Sequence, residues 1–159
     1  MGWLFSRHSF SFGEYYDPQK NNFGLLRVLN DDVIDAGSGF GAHPHDNMEI
    51  VTIALEGALA HNDSTGGSGV ISPGDVQRMS AGKGVTHSEY NHSKTAPGHF
   101  LQIWVQTKER NITPSYEQKS FGWQKSGKLI EVVTGRKKSG DALYMHQDCV
   151  FLLGGFEKK

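Results

Sequence analysis

The chain has 159 residues, with 16 basic and 17 acidic side chains and a net charge of −1. That balance argues against a nucleic-acid binder, which presents a basic face. Glycine is in excess, 20 residues or about 13% against a usual ~7%, and only 36% of residues are hydrophobic, which favours short strands and tight turns over a helical bundle.

A single cysteine, Cys149, cannot form an internal disulfide and points to a reducing compartment. The longest apolar runs, 50–55 and 150–153, are too short to cross a bilayer. No basic N-terminal region leads into a long apolar run, so a cytoplasmic protein without a membrane partner is expected.

In chain order, residues 9–12 alternate Ser-Phe-Ser-Phe and predict a short strand. Residues 25–29 predict a strand that ends in a turn at Asn30-Asp31-Asp32. Three glycines within 35–41 predict a sharply turning loop. Residues 49–55 are β-branched and nearly continuous, as in a strand buried on both faces. Glu56-Gly57 then turns the chain into a strand over 58–61. Pro73-Gly74-Asp75 predicts a turn between strands at 70–72 and 76–79. Another strand covers 85–90. In 100–106, Leu101, Ile103 and Val105 share one face, with Gln102, Trp104 and Gln106 on the other. The polar stretch 111–127, containing Pro114, is expected to be a linker. Strand patterns resume at 128–134 and 142–153. The whole reads as an all-β sandwich or barrel.

The chemistry lies in the histidines. His43-Pro44-His45 places two imidazoles at i and i+2, on one side of a strand and about 7 Å apart. Pro44 has no N–H to lose from a ladder and suits an edge strand. His87-Ser88-Glu89 is a second such pair. Together they supply three imidazoles and one carboxylate, a set suited to Fe, Mn, Co, Ni, Cu or Zn. The plainer alternative is surface histidines in polar loops. His61, His92 and His99 are candidates for supporting or substrate contacts, and His8 and His146 are read as structural. Phe40, Met48, Ile50, Ile53, Met79 and Trp104 are candidates to line an apolar cavity.

Residues 37–49, with Gly37, His43-Pro44-His45 and Glu49, resemble the first motif of the cupin superfamily, and Gly84 to Asn91 resembles the second. A closer resemblance, over essentially the whole chain, is to the pirin family and its bacterial branch. It is carried by His-Pro-His, Glu49-Ile50-Val51, Leu55-Glu56-Gly57, Pro73-Gly74-Asp75, Met79-Ser80-Ala81-Gly82 and Gln102-Ile103-Trp104-Val105. The resemblance implies a jelly-roll cupin barrel, here 1–110 with the metal site, a linker at 111–127, and the start of an incomplete second cupin at 128–159. A homodimer completing that second domain is one arrangement it allows.

Typical cupins use the carboxylate at Glu49 as a ligand, whereas pirins use the one at Glu89. The resemblance therefore implies His43, His45, His87 and Glu89 as ligands of one divalent metal, Fe(II) first, leaving about two octahedral positions open. Glu89 is also the implied catalytic base. The implied activity is that of a quercetin 2,3-dioxygenase, opening a flavonol-like enol with O2 and releasing carbon monoxide. The alternative is a non-catalytic, metal-dependent or redox-sensing regulator acting through protein partners.

Overall fold

A computed structural model describes residues 2–136 and 140–157. Among them the strands are β1 (Leu4–His8), β2 (Leu26–Ile34), β3 (Gly39–His45), β4 (Met48–Glu56), β5 (Leu59–Asp63), β6 (Ser68–Ile71) and β7 (Asp75–Ser80). They continue with β8 (Val85–Asn91), β9 (Gly98–Gln106), β10 (Ser115–Ser120), β11 (Ile130–Thr134), β12 (Leu143–Tyr144) and β13 (Val150–Leu153). The only helical turn among the described residues is the short 3-10 piece Trp123–Lys125.

Six strands make one sheet in the order β1-β2-β9-β4-β7-β10, and four make a second in the order β3-β8-β5-β6. All neighbours in both are antiparallel. The two sheets face each other. Ile34, Ala54 and Phe100 from the first meet Leu59 and Ile71 from the second in one buried cluster.

The first sheet is buried on its outer face too. Val51, Ile53, Val76, Ile103 and Val105 pack there against Val132, Val133 and Leu143 of the small third sheet, β12-β11-β13, and against Met145 just after β12. This double burial is why β4 reads as a continuous apolar run rather than an alternation. The turn at Pro73-Gly74 is tight because Gly74 takes a φ of +106°, open to glycine and costly for other residues.

Three local expectations give way to tertiary packing. Residues 9–12 are not a strand. The strand is β1, and Phe12 makes an isolated bridge to Tyr15 while its ring meets Trp104 edge-on at 5.3 Å. Asn30-Asp31-Asp32 is not a turn, because β2 runs through it to Ile34. Asn30 and Asp32 point inward and are buried, whereas Asp31 points out to His99 and Arg7. Finally, the polar stretch 111–127 contributes β10, whose pairing with β7 extends the first sheet.

Candidate metal centre

β3 is an edge strand of the four-stranded sheet, which accommodates Pro44, and it pairs with β8 so that His43 lies opposite His87. Period-two geometry then aims His43, His45 and His87 into the space between the sheets. Their Nε2 atoms converge: His87 lies 2.9 Å from His45 and 3.0 Å from His43. Two nitrogens held about 2.1 Å from one ion at right angles are roughly 3.0 Å apart, so the spacing fits three ligands on one face of an octahedron. Burial, with the neighbouring His43 second, pulls the pKa of His45 down to about 4 and that of His87 to about 3. Both rings therefore stay neutral near pH 7, with lone pairs free for a cation.

Glu89 is on the same side of β8 and lines the same cavity. Its carboxylate accepts a hydrogen bond from Gln102 Nε2 at 2.7 Å, with Gln77 Nε2 and Thr52 Oγ1 each at 3.5 Å. Burial raises its pKa to about 7. Its oxygens do not join the three-imidazole group; they lie within 4.8 Å of His61 and His87 instead. The structure thus brings the three histidines together, with Glu89 one step along the cavity wall.

Glu49 faces the other way. With Val51 and Ile53 it belongs to the outer set of β4, whereas Ile50 and Thr52 face the cavity side. It is fully buried against the segment after β12, accepting from Ser80 Oγ at 2.8 Å and the His146 backbone N–H at 3.2 Å. Burial raises its pKa as well.

The cavity is small, about 40 Å³, and opens to solvent at its mouth, with Phe12, Phe40, Ile50 and Trp104 as apolar walls. Of the six apolar candidates, Phe40, Ile50 and Trp104 line it. Met79 packs beside Ile50 with Met48 against them, and Ile53 lies on the outer face. His92 is exposed, and His99 pairs with Asp31 at 2.7 Å outside the cavity. His8 stacks edge-on against Phe12, and the His146 ring lies 4.0 Å from Glu109.

Sequence reasoning missed several polar residues. Asn30 and Asp32 line the cavity, the Asn30 Oδ1 has no hydrogen-bond partner, and burial raises the Asp32 pKa although the Ser6 hydroxyl donates to it. Their i, i+2 spacing was the available signal. Gln77, Gln102 and Asp63 were also missed, although His61-Asn62-Asp63 repeats the spacing of the two ligand-type pairs. His61 is buried, and that burial lowers its pKa despite Asp63 at 2.9 Å. For Asp63, burial pushes upward but is outweighed by hydrogen bonds from Thr65, His61 and Gly67, so its pKa is lowered.

Close strand approach holds this geometry. A Cβ on Gly39 would lie 2.1 Å from the Glu89 carbonyl oxygen and 2.5 Å from the Tyr90 Cα. Gly39→Ala is therefore expected to push β3 off β8 and to lower both thermal stability and metal stoichiometry, read by melting and by metal analysis.

A protein-family profile described as Pirin matches residues 1–105. A quercetin 2,3-dioxygenase of Escherichia coli K12 is 50% identical over 147 residues, covering 92% of this chain and 62% of the relative. A pirin-like protein of Caulobacter vibrioides is 44% identical over 148 residues, covering 92% and 63%. The crystal structure of a bacterial pirin from Escherichia coli in complex with nickel(II) superposes with a TM-score of 0.88 at 47% identity, covering 96% of this chain and 64% of that one. The chain thus spans less than two thirds of these relatives' length. The profile match, the identities and the shared all-β architecture agree: this chain belongs to the pirin family.

Proposed function

We propose that the chain forms the metal-carrying part of a quercetin 2,3-dioxygenase-type oxidoreductase, in which His43, His45, His87 and Glu89 hold one divalent ion. The ion is Fe(II) in this reading, with nickel(II), present in the bacterial relative, as the first alternative. The observation that carries the proposal is the approach of the His45 and His43 Nε2 atoms to that of His87, at 2.9 and 3.0 Å, beside an aromatic-walled cavity. When bound, such an ion supplies Lewis acidity to a ligand that chelates through a hydroxyl and a neighbouring carbonyl.

The chain's own groups do the rest. Phe12, Phe40 and Trp104 offer apolar faces to a planar ring entering at the cavity mouth. Glu89, the carboxylate on the cavity wall beside the three histidines, is the group placed to take the hydroxyl proton. Gln102 and Thr52 hold its two oxygens. On the wall formed by β2, Asn30 offers an acceptor without a partner to a distant hydroxyl of the ligand. Ring opening then consumes the enolate and O2 and releases carbon monoxide.

The test is anaerobic loading with each of Fe, Mn, Co, Ni and Cu, then addition of quercetin and air. Loss of flavonol absorbance with matching O2 uptake is expected for at least one ion. No turnover with any, while the ion stays bound, would sink the enzyme reading and leave the regulatory one.

A further inference from the structure

We propose that Asp63, His61 and His87 form a directed hydrogen-bond chain that presets the tautomer of His87, making His61 and Asp63 positioning residues for the ion. This rests on the reading of His87 as a ligand.

The strand register builds the chain. On β5, His61 lies opposite Glu89 and Asp63 opposite His87. Asp63 Oδ2 is 2.9 Å from His61 Nε2. Its other oxygen accepts from Thr65 N at 2.8 Å, Thr65 Oγ1 at 2.6 Å and Gly67 N at 3.0 Å. A carboxylate only accepts, so the single proton of a neutral His61 ring must be on Nε2, leaving Nδ1 as an acceptor.

A second contact requires the same direction. The Gln77 Nε2 lies 3.4 Å from His61 Nδ1 and 3.5 Å from Glu89 Oε1, so the amide nitrogen, a donor, is on that side.

His87 Nδ1 is 3.3 Å from the same His61 Nδ1. Since His61 Nδ1 accepts, His87 Nδ1 carries the proton and donates. Its Nε2 is then a bare lone pair aimed at the point shared with His43 and His45, which is the form a metal requires. Tyr116 stacks on His61 at 4.4 Å and 20°, so β10 clamps the middle of the chain. The turn is equally close, because a Cβ on Gly67 would lie 2.2 Å from Asp63 Oδ2.

His61, His87 and Glu89 also lie within 4.8 Å of one another, but the direction of the chain argues against His61 as a ligand. Its Nε2 is engaged by Asp63 and its Nδ1 meets the back of the His87 ring.

Asp63→Asn is the sharpest variant, because it keeps shape and reverses polarity. The Thr65 and Gly67 donors claim the amide oxygen, which turns the NH2 toward His61. His61 then accepts at Nε2, donates from Nδ1, and forces the His87 proton onto Nε2.

Nitrogen NMR of the metal-free wild type should show His87 protonated at Nδ1, and Asp63→Asn should move that proton to Nε2. Calorimetry with nickel(II) should show affinity lowered roughly 10–100-fold in Asp63→Asn and His61→Ala, with a larger loss in His87→Ala. Wild-type His87 protonated at Nε2 would overturn the proposal even if no variant folds. So would wild-type affinity in a folded Asp63→Asn, or a loss in His61→Ala equal to that in His87→Ala. Unchanged affinity in His87→Ala would instead refute the ligand reading on which this rests.

Discussion

Glu89→Gln is expected to lower nickel(II) affinity on the order of 10²–10³-fold, while Glu49→Gln leaves it within about twofold. A four-ligand protein site binds a divalent ion with about 10–16 kcal/mol, so one ligand accounts for roughly 3 kcal/mol, or two to three decades. Glu89 is the proposed fourth ligand, since of the two carboxylates it is the one that lines the cavity with the three histidines. Glu49 is bound to Ser80 and the His146 N–H on the far side of the sheet.

The pH dependence should separate the two as well. Burial holds the Glu89 carboxyl at about 7, so below that pH a proton competes with the ion. Its contribution is a wild-type affinity that falls up to tenfold for each pH unit below 7 and levels off above it. Glu89→Gln removes this contribution. His45 and His87, at about 4 and 3, add nothing to it between pH 6 and 8. Titrations at four or five pH values measure the slope. A steep loss in Glu49→Gln beside a normal Glu89→Gln would overturn the assignment of the carboxylate.

Phe100→Ala is expected to destabilise the protein by about 3–5 kcal/mol, the usual cost of emptying a buried aromatic site. For a domain of this size that lowers the Tm by roughly 10 °C or more. Phe100 is fully buried and joins Ile34 and Ala54 of one sheet to Leu59 and Ile71 of the other. Phe40, which lines the cavity and lies 6.3 Å from the His43 ring, packs against the same cluster. Metal retention should therefore fall along with stability. Phe23→Ala is the matched control: Phe23 is 79% exposed, and a change within about 0.5 kcal/mol is expected. Thermal melts of both variants, with metal content measured alongside, decide the matter.

The three-imidazole cluster was legible in the sequence because each pair that builds the candidate site is local. His43 with His45, and His87 with Glu89, need only the two-residue period of a strand to share a face. The cavity wall was far less legible. Asn30-Asp31-Asp32 has turn composition, yet it extends as β2 because the pairing of β1 and β9 on either side outweighs local preference. The stretch around β10 is polar enough to suggest a linker. It became a strand because Tyr116 covers His61 and β7 offered an open edge.

By itself, then, the sequence determined an all-β chain, the places where its main strands run and the residue types of a candidate metal site. These follow from periodicity, turn chemistry and side-chain chemistry, all of which are local. Only the tertiary structure decided which alternate set of each strand faces the cavity. In β4 both sets are buried, so hydrophobicity cannot tell the Glu49 side from the Ile50 side. Register then settled the rest, setting His43 opposite His87 and Asp63 beside it, over separations of 44 and 24 positions along the chain. Such pairings are long-range, and no local pattern encodes them.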